Sequence, residues 1–172
     1  DWAVARGLLA IRSHVDTSDP RLLAVEAMLE VKRRVAPYLV LQLVAFPQDG
    51  VLRYEPRRDD PSCTLTALQL LERALDRGVE VVGGIPHFER TMAEGADSVR
   101  RLCELAAARG LRVDMHCDES DDPLSRHIET LAFHTQRLGL HGRVTGSHLT
   151  SMHSMDNYYV SKLIPLMAEA QL

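Results

Sequence analysis

The sequence predicts an α/β fold, a (β/α)8 TIM barrel of which this chain supplies about five βα units. Three observations carry the prediction. Short apolar strands alternate with longer amphipathic helices, successive strands begin about one βα unit apart, and histidine, carboxylate and amide side chains gather where the strands end. Because the carboxyl ends of parallel strands share one rim of a barrel, these side chains are expected to meet there.

Five segments have the apolar character of parallel strands. They are residues 8–15, 38–46, 79–85, 111–116 and 143–148. The second, YLVLQLVAF, is almost continuously apolar, as expected for a strand covered on both faces. In the fourth, Leu111, Val113 and Met115 alternate with polar residues, so His116 is predicted to point into the barrel at its rim.

Helices are predicted between the strands from apolar residues at helical spacing and from end signals. Asp19 and Pro20 predict the start of the first long helix, as N-cap and first-turn proline, and Asp122 and Pro123 repeat that signal. Glycine or proline ends each helix that precedes a strand. The predicted helices are 1–5, 19–36, 65–77, 97–109, 122–138 and a last one from about 156.

A doubly wound sheet would also accommodate five βα units. Such a sheet usually binds its ligand with a glycine-rich turn after the first strand. Here the first strand leads into SHVDTSD, and the pair Gly83-Gly84 lies inside a predicted strand. The barrel is therefore the favoured architecture.

Composition bounds the function classes. A chain of 172 residues with 45% hydrophobic and 26% charged residues is expected to form one domain, residues 1–172. Its net charge of −4 gives no reason to expect nucleic acid or an anionic membrane as partner. Three widely spaced cysteines and the lack of a signal peptide or membrane-length apolar run favour the cytoplasm. Because the chain starts at Asp1 without methionine, we interpret it as a piece of a longer protein.

The expected rim carries polar residues from every strand: His14, Asp16, Phe46, Pro47, Gln48, Pro86, His87, Glu89, His116, Glu119, Ser147 and His148. Single histidines have simpler explanations, such as internal hydrogen bonds for His14 or a turn for His87. His127, His134 and His141 are expected to be solvent-exposed, and His153 to cap the last helix. His116 and His148 are favoured because the inward parity of their strands is polar or small, at Asp114 and Gly146.

An imidazole fixed on a strand, with a carboxylate three residues on, suits a metal ligand beside a proton carrier. Seven segments extend this signal along nearly the whole chain in one order. Together they resemble the cytosine deaminase branch of the amidohydrolase superfamily. The segments are RSHVDTSD (12–19), MLEVKRRVAP (28–37), LQLVAFPQDG (41–50), VVGGIPHFE (81–89), DMHCDESDD (114–122), SRHIET (125–130) and RVTGSHLTSMHS (143–154).

The resemblance implies a metal-dependent deaminase of a free pyrimidine base, cytosine to uracil plus ammonia, with one divalent metal ion (Fe²⁺ or Zn²⁺). It implies that His116 is a metal ligand and that Glu119 carries a proton from the attacking water to the ring nitrogen. It implies that His148 holds the attacking hydroxide electrostatically and that Gln48 recognises the polar edge of the pyrimidine. The implied partners are a small-molecule nucleobase and a second copy of the chain in a homo-oligomer.

Two elements of the family are missing. The chain has no His-x-His pair from a first barrel strand and ends before the aspartate of an eighth strand, so it corresponds to strands two to six with one metal ligand of four. By itself it is expected to be inactive. Two alternatives remain open: a related hydrolase of an s-triazine, a pterin or creatinine, which Gln48 disfavours, and a non-catalytic scaffold or inactive fragment.

Overall fold

Five parallel strands form the centre of the protein, in a computed structural model that describes residues 2–52 and 63–172. Their order in the sheet is the order of the sequence, and each strand pairs in parallel with the next. The sheet curls into a partial barrel, which confirms the predicted fold class. The strands are β1 (Ala10–Asp16), β2 (Val40–Phe46), β3 (Val81–Gly84), β4 (Arg112–Cys117) and β5 (Val144–His148).

Helices connect the strands and cover the outer face of the sheet. They are α1 (Trp2–Ala5), α2 (Leu23–Val35), α3 (Ala67–Asp76), α4 (Met92–Arg109), α5 (His127–Arg137) and α6 (Asn157–Ala170), with short 3₁₀ turns at Pro86–Phe88 and Thr150–Ser154. None of the helices in the described ranges is both long and apolar enough to cross a membrane.

The alternation of β4 sorts its side chains between two environments. Val113, Met115 and Cys117 are buried in the hydrophobic core between the sheet and the helices. Asp114 and His116 face the other side, which is the interior of the barrel. The sequence pattern therefore decides which residues of β4 face the interior of the barrel and which pack against the helices.

Two helix starts differ from the sequence prediction. Helix α2 begins at Leu23 and not at Asp19, and α5 begins at His127 and not at Asp122. Each aspartate instead accepts a backbone hydrogen bond from the residue two positions later, Arg21 and Leu124 respectively, which closes a local turn before the helix. Helix α4 starts earlier than predicted, at Met92, because Thr91 caps it through the backbone N–H of Glu94.

The predicted exposure of two histidines is wrong. His127 is 2% exposed and His134 is 6% exposed, because both lie on the face of α5 that packs into the protein. His141 is exposed, as expected. The last helix is capped by Asp156, whose side chain accepts the N–H of Tyr159, and not by His153.

Gly95 lets α4 pack against α5. A Cβ at this position would stand 2.6 Å from His127 Cδ2 and 2.8 Å from the carbonyl oxygen of Pro86. Both distances are below normal contact, so the ring of His127 occupies the space that a side chain would need.

We expect Gly95→Ala to lower the free energy of unfolding by about 1–3 kcal/mol, measured by urea denaturation. In a helix without this contact, the same change would raise stability by about 1 kcal/mol through helix propensity. The sign of the effect is therefore the test, and a stabilised variant would contradict the packing described above.

Candidate active site

Four ring side chains from four strands meet at the carboxyl ends of the sheet. The ring of His116 lies 4.4 Å from that of His14, 4.6 Å from that of Phe46 and 4.6 Å from that of His148, between centroids. They come from β4, β1, β2 and β5; β1 pairs with β2 and β4 with β5, and the curl of the sheet brings the two pairs together across the barrel interior. The residues were far apart in sequence, and the sheet makes them one cluster.

Glu119 completes this cluster from the loop after β4. Ligand-type atoms of His116, Glu119 and His148 all lie within 4.8 Å of one another. Glu119 Oε2 is 3.5 Å from His148 Nε2. A groove of about 590 Å³ opens on the loop side of Glu119 and is bordered by Leu149, Thr150 and His153.

His148 reaches the cluster by a route that the sequence analysis did not foresee. Thr145 and Ser147 face the barrel interior, where they bind Arg12 and Asp114. Gly146 therefore faces outward, and a Cβ there would stand 2.8 Å from Ile128 of α5. The parity argument that placed His148 inward through Gly146 is wrong.

The backbone turns His148 inward. Its φ is +74°, and Leu149 follows with φ +57°, so the alternation of β5 ends at His148. Positive φ is costly for residues with a side chain. Among the described residues, five non-glycine residues have positive φ, and three of them, Asp118, His148 and Leu149, lie in the two loops of this site.

Below the cluster, Asp114 organises the polar interior of the barrel. Its carboxylate accepts hydrogen bonds from Arg12 at 2.6 Å and from Ser147 at 2.9 Å, and lies 3.5 Å from His14 Nε2. Burial raises the pKa of Asp114, but the nearby His14 and the hydrogen bonds from Arg12 and Ser147 outweigh burial and lower it to about 2. The carboxylate is therefore ionised, and it ties β1, β4 and β5 together under the site.

The surroundings of His116 suit a metal ligand. Burial lowers its pKa, and the neighbouring His14 and His148 lower it further. The imidazole is therefore neutral at neutral pH, which is the form that binds a metal.

The other predicted rim residues lie nearby in different ways. Gln48 is exposed in the turn after β2, two residues beyond Phe46, whose ring contacts His116. His87 lies in the 3₁₀ turn after β3, and both of its ring nitrogens are buried without a hydrogen-bond partner among the described residues. Burial lowers the pKa of His87, with Asp118 and Glu119 opposing the shift.

Two residues of the site were missed by the sequence analysis. Asp118 and His127 form a buried pair, with Asp118 Oδ1 2.8 Å from His127 Nδ1. Asp118 stands in the HCDE segment, so its position was known. Its partner is nine residues away at a helix start that the sequence misplaced, so the pair could not be predicted.

Residues 1–172 match the Amidohydrolase family. The chain belongs to this family. It is 43% identical to 5-methylcytosine deaminase from Klebsiella pneumoniae, in a crystal structure with 5-fluorocytosine, and it superimposes with a TM-score of 0.88 over 96% of this chain and 38% of that one. N-isopropylammelide isopropylaminohydrolase from Burkholderia multivorans is 27% identical, with a TM-score of 0.79 over 98% of this chain and 40% of that one.

Two relatives of known function match by sequence. N-isopropylammelide isopropyl amidohydrolase from Pseudomonas sp. strain ADP is 30% identical over 97% of this chain and 39% of that protein. Pterin deaminase from Rhizobium rhizogenes is 28% identical over 98% of this chain and 36% of that protein. The chain thus spans less than half the length of the proteins it matches. The resemblance found in the sequence is confirmed at the level of the family.

The ion pair under the site gives a stability prediction. We expect Asp114→Asn to lower the free energy of unfolding by about 3 kcal/mol, because it leaves the partly buried guanidinium of Arg12 without its counter-charge. Asp97→Asn is the control, since Asp97 pairs with Arg100 on the surface of α4, where such pairs contribute less than about 1 kcal/mol. Equal effects of the two variants in urea denaturation would contradict the assigned role of Asp114.

Proposed function

We propose that the protein containing this chain hydrolyses the exocyclic C–N bond of a free aminopyrimidine base, converting cytosine and water to uracil and ammonia. The observation that carries the proposal is that His116, Glu119 and His148 meet at one rim of the barrel. One side-chain N or O atom of each lies within 4.8 Å of those of the other two. The substrate class is supported by the 43% identity to a 5-methylcytosine deaminase whose structure holds 5-fluorocytosine.

In this proposal, Glu119 moves protons. Its carboxylate takes a proton from the attacking water as oxygen adds to the ring carbon that bears the amine, and gives it to the adjacent ring nitrogen. Glu119 then moves the proton of the new hydroxyl to the amine; the C–N bond breaks, ammonia leaves, and the C–O bond becomes the ring carbonyl. His148, 3.5 Å from Glu119, orients the attacking oxygen and stabilises its charge.

His116 fits one divalent cation. Its imidazole is a ligand that Zn²⁺ and Fe²⁺ accept, and it would hold the ion from the end of β4, while Glu119 and His148, within 4.8 Å of it, serve proton transfer and the attacking oxygen. Such an ion, when bound, lowers the pKa of water towards about 7 and so supplies hydroxide at neutral pH. The neutral form of His116, favoured by its lowered pKa, is ready for this role.

A second candidate function is hydrolysis of the C–N bond that joins an amine substituent to an s-triazine ring. It is favoured by the 30% identity to N-isopropylammelide isopropyl amidohydrolase over 97% of this chain. The chemistry at His116, Glu119 and His148 would be the same. The choice between the two rests on Gln48, whose amide offers one donor and one acceptor to the carbonyl and nitrogen edge of cytosine.

We expect Glu119→Gln to lower kcat for ammonia release from cytosine by about 10²- to 10⁴-fold, because an amide cannot carry the proton. The measurement uses the complete protein, loaded with Fe²⁺ or Zn²⁺ and supplied with cytosine, 5-methylcytosine, N-isopropylammelide or pterin. Glu169→Gln is the matched control, since Glu169 is exposed on α6.

The panel of substrates separates the candidates. Ammonia release from cytosine would support the deaminase, whereas isopropylamine release from N-isopropylammelide alone would move the function to the triazine hydrolase. Full activity of Glu119→Gln would refute the proton-carrying role, and no release from any substrate would refute the enzyme.

We expect Gln48→Ala to lower kcat/KM for cytosine by about 10- to 100-fold, because the polar edge of the base loses a hydrogen-bonding partner. The same variant is expected to change kcat/KM for N-isopropylammelide by less than threefold. An equal loss on both substrates would show that Gln48 supports the loop and does not select the pyrimidine.

A further inference from the structure

Asp118 is the most fully hydrogen-bonded carboxylate of the site loops. Its side chain is completely buried. Oδ1 accepts hydrogen bonds from the hydroxyl of Ser125 at 2.8 Å and from the backbone N–H of His127 at 3.0 Å, and it contacts His127 Nδ1 at 2.8 Å. Oδ2 accepts the N–H of Ile128 at 2.9 Å.

These bonds fix the loop after β4 to the start of α5. A carboxylate that accepts N–H groups at a helix N-terminus also interacts favourably with the helix dipole. Asp118 directly precedes Glu119 and follows His116 by two residues, so these bonds fix the backbone segment that carries both side chains.

The backbone carbonyls of this segment hold the second loop of the site. The carbonyl of Asp118 accepts the N–H of Ser151 at 3.0 Å and the hydroxyl of Thr150 at 3.1 Å. The carbonyl of Cys117 accepts the N–H of Leu149 at 3.1 Å. The turn that begins at His148 is therefore hydrogen-bonded to Cys117 and Asp118, the two residues that precede Glu119.

A further bond closes the assembly. The hydroxyl of Ser151 donates to the carbonyl of Ser125, at 2.9 Å, and Ser125 itself binds the Asp118 carboxylate. The two loops and the first turn of α5 form one hydrogen-bonded ring around Asp118. Such a ring explains how the left-handed conformations of Asp118, His148 and Leu149 persist, because strained backbone survives only where its surroundings over-determine it.

We infer that Asp118 is a positioning residue, which holds Glu119 and His148 in register with His116 by joining the two site loops to the start of α5. A residue of this kind touches neither substrate nor metal. Its effect on turnover rests on the proposed function, but its effect on the affinity of the cluster for a divalent ion does not.

Two substitutions separate the carboxylate from the backbone conformation. Asp118→Asn tolerates positive φ but puts an NH₂ group where donors already point, so at least one of the four side-chain interactions is lost. Asp118→Gly keeps the positive φ and removes all of them. Thr66→Ala is the control, because it removes the N-terminal cap of α3, which does not belong to either site loop.

The complete protein is titrated with Zn²⁺ in competition with a chromophoric chelator, and kcat and KM for cytosine are measured on the loaded protein. We expect both Asp118 variants to bind Zn²⁺ about 10- to 100-fold more weakly, and kcat to fall by a similar factor with KM within threefold. Thr66→Ala is expected to lower the unfolding midpoint and leave both quantities within twofold of wild type.

A merely structural role would give a different result. If the Asp118 variants are destabilised like Thr66→Ala but keep Zn²⁺ affinity and kcat within twofold, the inference is wrong. If they do not fold, Ser125→Ala decides, since it removes one bond to the carboxylate: a weakening of Zn²⁺ binding by threefold or more supports the inference and no change overturns it.

The two proposals fail in distinguishable ways. If wild type binds Zn²⁺ but releases ammonia from no heterocycle, the proposed function fails and the Zn²⁺ titration alone decides the role of Asp118. If wild type neither binds Zn²⁺ nor turns over a substrate, both the proposed function and the inference about Asp118 are wrong.

Discussion

Parallel pairing of the strands in sequence order is the constraint on which the site depends. Each strand lies beside the next, so every carboxyl end reaches the same rim, and His14, Phe46, His116 and His148 meet there although they span more than 130 positions. The register is specific: Cys117 pairs with His148, and Asp16 with Phe46. A slip by one residue would turn His116 towards the helices and Cys117 towards the site.

Under the rim, the barrel interior is polar where the outer core is apolar. Arg12 binds the side chains of Gln42, Asp114 and Thr145, so its charge is satisfied from three other strands. Buried ion pairs of this kind add little net stability compared with an apolar core, but they fix geometry because each partner has few alternatives. Here they fix the position of Asp114, which lies next to His14 and two residues before His116 on β4.

The loops above the rim combine strain with dense hydrogen bonding. Left-handed conformations at Asp118, His148 and Leu149 aim side chains in directions that strand alternation would not give. The bonds around Asp118 hold these conformations, and Gly95 provides the space in which His127 can pair with it. Packing between α4 and α5 and the position of Glu119 are thus parts of one arrangement.

The sequence by itself determined the parallel sheet, the five strands, the inward direction of His116 and membership of the amidohydrolase family. These follow from local patterns, namely alternation, apolar runs and motifs along the chain. It could not determine the starts of α2 and α5, because Asp19 and Asp122 close local turns while the cap of α5 comes from Asp118, nine residues before its first residue.

Only the tertiary structure decided how His148 enters the site and which histidines are buried. Alternation places Gly146 outward, against α5, and a left-handed turn then redirects His148, which no periodic pattern encodes. The burial of His127 and His134 depends on what covers α5, and the Asp118 pair on a contact between a loop and a helix start. Such contacts between residues distant in sequence are set by packing and hydrogen bonding of the whole chain, and a single sequence carries no local sign of them.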